Sequence, residues 1–212
     1  MSRASITVRQ AATDDVGAVA ELLTDAFADY VWTTWAVPAD DHRRRLHTIY
    51  AVHSAIGAHR GDLWVLEVDG EIRSAAAWSL LDGAAVPSMD AYRGVPDELI
   101  ERVSALADVF GDRLPAVQRA EAATLVARPS GAYWFLDCVG TAPAAQGQGF
   151  GHRLLTSVLD QLDADRLPTA LETSTESNVR RYEKLGFAVT ATLDVGDGAP
   201  TVWVMTRPPR VP

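Results

Sequence analysis

The chain has 212 residues, of which 19 are basic and 28 acidic, so its formal net charge is −9 and its length suits one domain with a substantial core. Cys138 is the only cysteine, which excludes an internal disulfide framework and a multi-cysteine zinc site. No apolar run approaches the roughly 20 residues of a membrane helix, and the first residues show no apolar stretch of signal-peptide type, so we expect a cytoplasmic protein with no membrane partner. The chain has no surplus of basic residues, so we expect no nucleic-acid partner. We also expect no metal.

The N-terminal third predicts alternating strands and helices. Apolar periodicity predicts a strand from Ile6, a helix over about 16–27, a helix over about 41–58, and paired strands over 63–68 and 71–80. The strands of this pair are joined by Asp69-Gly70, a pair typical of tight turns with positive φ. Arg43-Arg44-Arg45 is the one dense basic run, and its helical setting predicts a solvated face rather than a binding patch.

Residues 83–131 interrupt the strand pattern. Apolar spacing predicts one helix from Leu99 to Phe110 and another from Pro115 to Ala127, and Pro129-Ser130-Gly131 ends the segment as a loop. We expect this helical insert to cover one side of a substrate site.

The second half alternates regularly. Strands are predicted over 133–141, 169–173, 187–193 and 201–205, with helices around 154–162 and 178–185. Together with the first half, this order predicts a single α+β domain over residues 1–212 with a mixed sheet.

A glycine-rich segment, Gln146-Gly147-Gln148-Gly149-Phe150-Gly151, follows a predicted strand and opens a helix. Glycines there let several N–H groups point at one spot, and the helix dipole adds positive potential, so the segment is suited to a phosphate. A dinucleotide fingerprint requires glycine where His152 stands, and the Lys-Ser/Thr pair of a P-loop is missing. A plain glycine-rich turn is the alternative.

The spacing Gln-x-x-Gly-x-Gly resembles the acetyl-CoA loop of the GNAT superfamily of N-acetyltransferases. A second GNAT signature, Tyr-x-x-x-Gly-Phe, matches Tyr182, Gly186 and Phe187. Over about residues 6–207 the chain also resembles the puromycin-type subgroup of this superfamily, and the match is strongest in the C-terminal half. Thr175 holds the position of the usual GNAT Asn, whereas Asn178 lies four residues before Tyr182, as in that subgroup. The resemblance implies a mixed, mostly antiparallel sheet flanked by helices.

The resemblance also implies acetyl-CoA as the co-substrate. Amides from Gly147 to Gly151 are expected to hold the pyrophosphate, and a splayed strand near Val139 is expected to receive the pantetheine arm. The full set of cofactor-binding candidates is Val139, Gln146, Gly147, Gln148, Gly149, Phe150, Gly151, His152, Arg153, Asn178 and Tyr182. For His152 and Arg153, exposed first-turn residues without a binding role are the alternative.

Catalysis in this superfamily is direct attack of a neutral amine on the acetyl thioester. Tyr182 is the candidate general acid, since a phenol is protonated at neutral pH. Asp137 and Glu172 lie in apolar strands, where a carboxylate is costly unless paired or functional, and are the candidate bases. For each, a hydrogen-bonded structural carboxylate is the alternative. Strand alternation predicts that Asp137 shares a face with Val139 and that Cys138 points away from it.

Five aromatic residues are candidates for an acceptor pocket that binds a flat or cationic amine, with plain core packing as the alternative for Phe27 and Trp78. They are Phe27, Tyr30, Trp32, Trp35 and Trp78. The resemblance implies acetylation of a small primary amine, such as an aminonucleoside antibiotic that acetylation would detoxify. Two alternatives stay open: a protein or peptide N-acetyltransferase, and a non-catalytic acyl-CoA-binding module. Monomer and homodimer are both compatible with the sequence.

Overall fold

A computed structural model describes residues 5–83 and 94–210 of the chain. Its strands are β1 (Ile6–Gln10), β2 (Leu63–Val68), β3 (Glu71–Leu81), β4 (Tyr133–Thr141), β5 (Thr169–Thr173), β6 (Ala188–Leu193) and β7 (Val202–Arg207). Its helices are α1 (Val16–Phe27), α2 (Val31–Ala36), α3 (His42–Arg60), α4 (Asp97–Ser104), α5 (Ala107–Phe110), α6 (Leu114–Leu125), α7 (Phe150–Leu162) and α8 (Glu176–Glu183).

The described strands form one sheet of seven in the order β1-β2-β3-β4-β5-β7-β6. Every neighbouring pair is antiparallel except β4 and β5, which run parallel and are joined through α7. The parallel register covers three residue pairs and ends at Leu136 opposite Leu171. Beyond that pair β4 and β5 separate, so a gap opens in the middle of the sheet. The predicted single domain with a mixed, mostly antiparallel sheet flanked by helices is confirmed.

Helices cover both faces of the sheet, and alternation along β3 separates two hydrophobic cores. Ala75 and Ala77 pack with α1, α2, α3 and α6 on what we call the first face. Ala76 and Trp78 pack with α7 and α8 on the second face. The gap between β4 and β5 is therefore bordered by different helices on its two sides.

Local sequence accounts for several elements. Asp69 and Gly70 both have positive φ, 52° and 83°, which confirms the tight turn between β2 and β3. The basic run on α3 is paired with carboxylates: Arg43 with Glu21 and Asp25, Arg44 with Asp41, and Arg45 with Asp40. Arg43 and Arg44 thus lie on a solvated face, as predicted, whereas Arg45 is mostly buried and also donates to the Asp108 and Val109 carbonyls.

The helical insert differs from its prediction in one respect. The predicted helix over 99–110 is divided into α4 and α5, because Leu106 and Asp108 donate to carbonyls three residues back, from Val103 and Ala105. The Ser104 hydroxyl also bonds the Ile100 carbonyl, a contact that bends helices. Residues 84–93, at the start of the predicted insert, lie outside the described residues.

The insert begins after β3 and ends before β4, and its two ends, at Gly83 and Gly131, are in contact. A Cβ on Gly83 would lie 2.3 Å from the backbone N of Gly131 and 2.4 Å from its O. Gly83 also has φ of 74°, a conformation that side chains disfavour. The ends of β3 and β4 thus meet through two glycines, and the insert is an excursion between paired strands.

In the described residues, no helix is both long and apolar enough to cross a membrane. Nor do the described His, Cys, Asp and Glu side chains form a group of three that could hold a metal ion.

Candidate active site

The glycine-rich segment forms an open loop before α7. Gly147 and Gly149 have φ of 78° and 81°, and a Cβ at either position would meet nothing within 4 Å. α7 begins at Phe150 without a side-chain cap, so the N–H groups of its first turn are available to a ligand. Open space, free amides and the positive end of the helix dipole together fit a pyrophosphate.

The side chains around the loop are arranged on its rim. Gln146 Nε2 donates to the Thr141 carbonyl over 3.3 Å, and a Cβ on Gly151 would lie 3.2 Å from Thr141 Oγ1. Gln148 and His152 are exposed, whereas Phe150 packs against the second-face core. Arg153 is exposed, and its Nη2 reaches 3.5 Å from the Ile6 carbonyl, towards the β1 edge.

The gap between β4 and β5 continues from this loop. Val139 is half-buried beside it and packs on the second-face core. Across the gap, Tyr30 accepts a hydrogen bond from the Ser174 N–H at 2.7 Å and lies 3.2 Å from Thr173 Oγ1. Asn178 Nδ2 donates to the same Thr173 oxygen over 3.1 Å. The end of β5 is thus fixed by side chains from α1–α2 and from α8.

Tyr182 lies on α8 with 9% of its surface exposed, and its ring edge meets Phe187 at 5.9 Å. Burial raises the pKa of its phenol well above the ordinary value, and Tyr30 and Cys138 on the other side of the gap contribute. Burial likewise raises the pKa of the Cys138 thiol to about 12. Both groups are therefore protonated at neutral pH, and Tyr182 is a proton donor beside the gap.

Asp137 occupies a β-bulge, which overturns part of the prediction. Cys138 pairs with Ala77 and Leu136 with Trp78, so Asp137 is the extra residue on β4. Its Oδ2 accepts a 2.7 Å hydrogen bond from Ser79 Oγ. The bulge puts Asp137 and Cys138 on the first face in succession, so Asp137 does not share a face with Val139. Cys138 does point away from Val139, as expected.

The carboxyl of Asp137 is accessible to water yet enclosed by protein on the first face. Restricted hydration raises its pKa to about 6, against the opposing effects of Ser79, Arg128 and Arg60. Asp62, which adds a like charge, has its own pKa raised to about 6 by burial. A carboxylate with such a pKa changes charge close to neutrality, which suits a general base.

Glu172, the other candidate base, is paired. Arg128 Nε donates to Glu172 Oε1 over 2.6 Å, and 17% and 21% of the two side chains are exposed. Arg128 also lies 4.0 Å above the centre of the Phe135 ring. Glu172 thus has a specific charged partner, as the structural alternative requires, whereas Asp137 accepts a hydrogen bond from the neutral hydroxyl of Ser79.

The five predicted aromatic residues are not in one pocket. Phe27 stacks on Tyr50 at 5.2 Å and meets Tyr30 edge-on at 5.5 Å. Trp32 and Trp35 lie 4.9 Å apart, and the Trp35 indole donates to the Asp197 carbonyl in the β6–β7 turn. Trp78 is 2% exposed on the second face, away from Asp137. Tyr30 borders the gap through its bonds to the end of β5, with Phe27 against its ring, while Trp35 connects α2 to the β6–β7 turn.

Sequence patterns did not identify the polar residues around Asp137. Ser79 follows alternation along β3, but Asp62 and Arg128 come from two separate segments that only the fold brings near Asp137. Glu121 on α6 has a raised pKa because of burial, with Arg128 and Glu172 nearby.

Comparison with known proteins identifies the family of the chain and structures with a similar fold. Residues 24–187 match the family model described as "Acetyltransferase (GNAT) family". The fold is similar to a Corynebacterium glutamicum protein called "histone acetyltransferase HPA2 and related acetyltransferase", with a TM-score of 0.68, 20% identity and 98% of each chain covered.

Two further structures have the same fold. A Drosophila melanogaster polyamine N-acetyltransferase that forms N-acetylagmatine has a TM-score of 0.62 and 18% identity, covering 96% of this chain and 100% of its own. The acetyltransferase yncA of Salmonella typhimurium, whose structure holds acetyl-CoA, has a TM-score of 0.55 and 19% identity, covering 97% and 94%.

Proposed function

The chain belongs to the acetyltransferase (GNAT) family, and from this we propose that it transfers the acetyl group of acetyl-CoA to the primary amine of a small molecule. The observation that carries the proposal is the placement of Asp137 and Tyr182 on opposite faces of the gap between β4 and β5. One is a carboxylate near its titration point and the other a phenol that keeps its proton.

The half of the site that binds acetyl-CoA consists mostly of backbone groups. The first-turn amides of α7 with Gly147 and Gly149 hold the pyrophosphate, and the unpaired edge of β4 beyond Leu136 receives the pantetheine arm. When bound, acetyl-CoA supplies an activated acyl group and a thiolate leaving group. Gln146, Gln148, His152 and Arg153 form the rim of this half, and Phe150 and Gly151 fix its backbone.

The two side chains beside the gap move the protons. Asp137 accepts a proton from the acceptor amine, directly or through water, because only a neutral amine has the lone pair required for attack. Ser79 orients the accepting oxygen. Tyr182 donates a hydrogen bond to the sulfur and passes its proton to it as the C–S bond breaks, since burial keeps the phenol protonated up to that step.

An amine acceptor suits the first face. Asp62, Glu121 and Asp137 place negative charge there, and an alkylammonium ion is attracted to such a surface before it loses its proton. The Drosophila protein of the same fold acts on an amine of this kind. The resemblance of Asn178 and Tyr182 to the puromycin-type subgroup supports an aminonucleoside as one candidate acceptor.

Incubation of the purified protein with acetyl-CoA and separate amines tests the proposal, with free thiol followed over time. The amines are agmatine, an arylalkylamine, puromycin and a short peptide with a free N-terminus. We expect thiol release above the amine-free rate with at least one of the three small amines. Release with the peptide alone would favour a protein acetyltransferase. Coenzyme A binding without release for any amine would favour a non-catalytic acyl-CoA-binding module.

A further inference from the structure

Arg128 lies across the junction at which β4 and β5 separate. It follows α6 at the end of the insert, and its Nε bonds Glu172 on β5 at 2.6 Å. On the other side its guanidinium lies 4.0 Å above the Phe135 ring on β4. The last parallel pair is Leu136 with Leu171, so one guanidinium contacts both strands at the start of the gap.

This contact is unlike the surface ion pairs of α3. Both partners are largely buried, with 17% and 21% exposure, whereas Arg43 and Glu21 are 59% and 56% exposed. A shielded pair is less screened by solvent and salt, and removal of one partner leaves the other charge poorly hydrated. The insert is thus joined to the sheet beside Asp137 by an interaction with a directional geometry.

We propose that Arg128 is a positioning residue for acetyl transfer: it holds Glu172 away from the acceptor amine and fixes the β4–β5 junction, so that Asp137 is the carboxylate that receives the proton. This inference rests on the proposed function and assigns the insert a role in the reaction. It also gives the two acidic residues at the gap different partners, a guanidinium for Glu172 and a serine hydroxyl for Asp137.

Several charged groups face Asp137 from the surrounding elements. Arg128 at the end of α6 and Arg60 at the end of α3 favour its carboxylate form, and Asp62 before β2 opposes it. Ser79 on β3 donates a hydrogen bond. Glu172 on β5 and Glu121 on α6 act nearby through Arg128. Removing Arg128 therefore deletes a cation and also unmasks a carboxylate, and both changes make Asp137 harder to ionise.

The test is a carbon NMR titration of the full-length protein labelled at the aspartate carboxyl carbons, together with the pH profile of kcat/KM. The Asp137 signal is identified by its loss in Asp137→Asn. In Arg128→Met we expect the Asp137 midpoint and the acid limb of kcat/KM to move up by about 0.5 to 1 pH unit. That movement lowers kcat/KM about two- to five-fold at pH 6 and leaves it nearly unchanged at pH 9.

Two variants and a control sharpen the result. Glu172→Gln frees the charge of Arg128 and is expected to move both the Asp137 midpoint and the acid limb of kcat/KM in the opposite direction, to lower pH. Arg128→Lys keeps the cation, and its Asp137 midpoint is expected to lie close to that of the wild type. Arg113→Met removes an exposed arginine at the start of α6 and is expected to change neither readout.

An unchanged Asp137 midpoint in both Arg128→Met and Glu172→Gln would overturn the inference. Disappearance of the acid limb of kcat/KM in Glu172→Gln would also overturn it, since that limb would then belong to Glu172. A uniform loss of kcat/KM at all pH values in Arg128→Met, with the midpoint unmoved, would indicate a merely structural role and also overturn it. If the wild type releases no thiol with any amine, the proposed function fails, and the NMR titration still decides whether Arg128 controls Asp137.

Discussion

At the residue scale, the surrounding protein limits the hydration of the Asp137 carboxyl and the Tyr182 phenol and raises the pKa of both, with different chemical results. For the carboxyl, restricted hydration brings the pKa to about 6, so that the group ionises just below neutral pH. For the phenol, the same effect moves the pKa further above neutral pH, so the group stays protonated. The acid and the base that we propose on opposite faces of the gap thus owe their protonation states to their surroundings.

The first prediction concerns Asp137→Asn. Asn keeps the size of the side chain and can still accept from Ser79, but it cannot take a proton. We expect kcat/KM to fall by about 10²- to 10⁴-fold near pH 7.5. In the wild type, kcat/KM should rise with pH through about 6, because Asp137 must lose its proton to act. Steady-state thiol release over pH 5 to 9 checks both statements.

Retained turnover in Asp137→Asn, with an unchanged acid limb, would show that water or another group accepts the proton. The matched control is Asp14→Asn, an exposed aspartate at the start of the chain's first helical turn, for which an unchanged profile is expected.

A second prediction concerns Tyr182→Phe. The ring still packs edge-on against the neighbouring Phe187, so the fold is preserved while the donated proton is lost. We expect kcat to fall by about 10²-fold and the dissociation constant of coenzyme A to change little. Tyr50→Phe is the control, since Tyr50 is a buried first-face tyrosine stacked on Phe27. Equal effects of the two substitutions would contradict the assignment of Tyr182 as the acid.

At the element scale, sequence periodicity predicted most strands and helices but not the features that shape the site. β4 and β5 were predicted with the observed ends. α2 was missed because Val31, Thr33 and Thr34 are poor helix formers. Its six residues are held by tertiary contacts, including two hydrogen bonds from Thr33 Oγ1.

The β4 bulge was missed for a related reason. Alternation along one strand cannot reveal an inserted residue, because the bulge is defined by the register with β3. The sequence identified the glycine loop, Tyr182 and Asp137 as candidates. The prediction that Asp137 shares a face with Val139 was wrong. Arg128 was not singled out, since its contact with Glu172 joins positions 44 residues apart.

A prediction at this scale concerns the closure of the insert. Gly83→Ala should destabilise the protein more than Gly70→Ala, although both glycines have positive φ. At Gly70 an added Cβ meets nothing within 4 Å, so the cost is the conformational one of about 1 to 2 kcal/mol. At Gly83 the same atom meets the Gly131 backbone, and a further cost of about 1 to 3 kcal/mol is expected. Denaturant unfolding compares the variants, and equal losses would contradict the close contact.

At the scale of the whole molecule, the net charge of −9 is compatible with an anionic donor because the two halves of the site differ. The phosphate end relies on backbone amides and a helix dipole, which need no surplus of basic side chains. The proposed acceptor side contains three carboxyl groups whose pKa values are raised because surrounding protein limits their hydration, those of Asp62, Glu121 and Asp137. Charge is thus divided between the faces of one sheet.

The acidic face has a stability consequence that depends on pH. Asp137 has a higher pKa in the folded state than in the unfolded chain, so its ionisation opposes folding. This cost is absent below about pH 4, develops between about pH 4 and 6, and is constant above. Relative to wild type, Asp137→Asn should therefore gain thermal stability on going from pH 4 to pH 8. Calorimetric Tm values at both pH values test this, and an identical Tm difference at both would contradict it.

The most direct test of acetyl transfer is the stoichiometry of products formed from acetyl-CoA and the best amine of the panel. Thiol is measured colorimetrically and the acetylated amine by mass spectrometry in the same samples. Direct transfer predicts one acetamide for each thiol released in the wild type, with both products lost together in Asp137→Asn. Thiol accompanied by free acetate and no acetamide would contradict the proposed function, because it would show hydrolysis of the thioester without transfer to an amine.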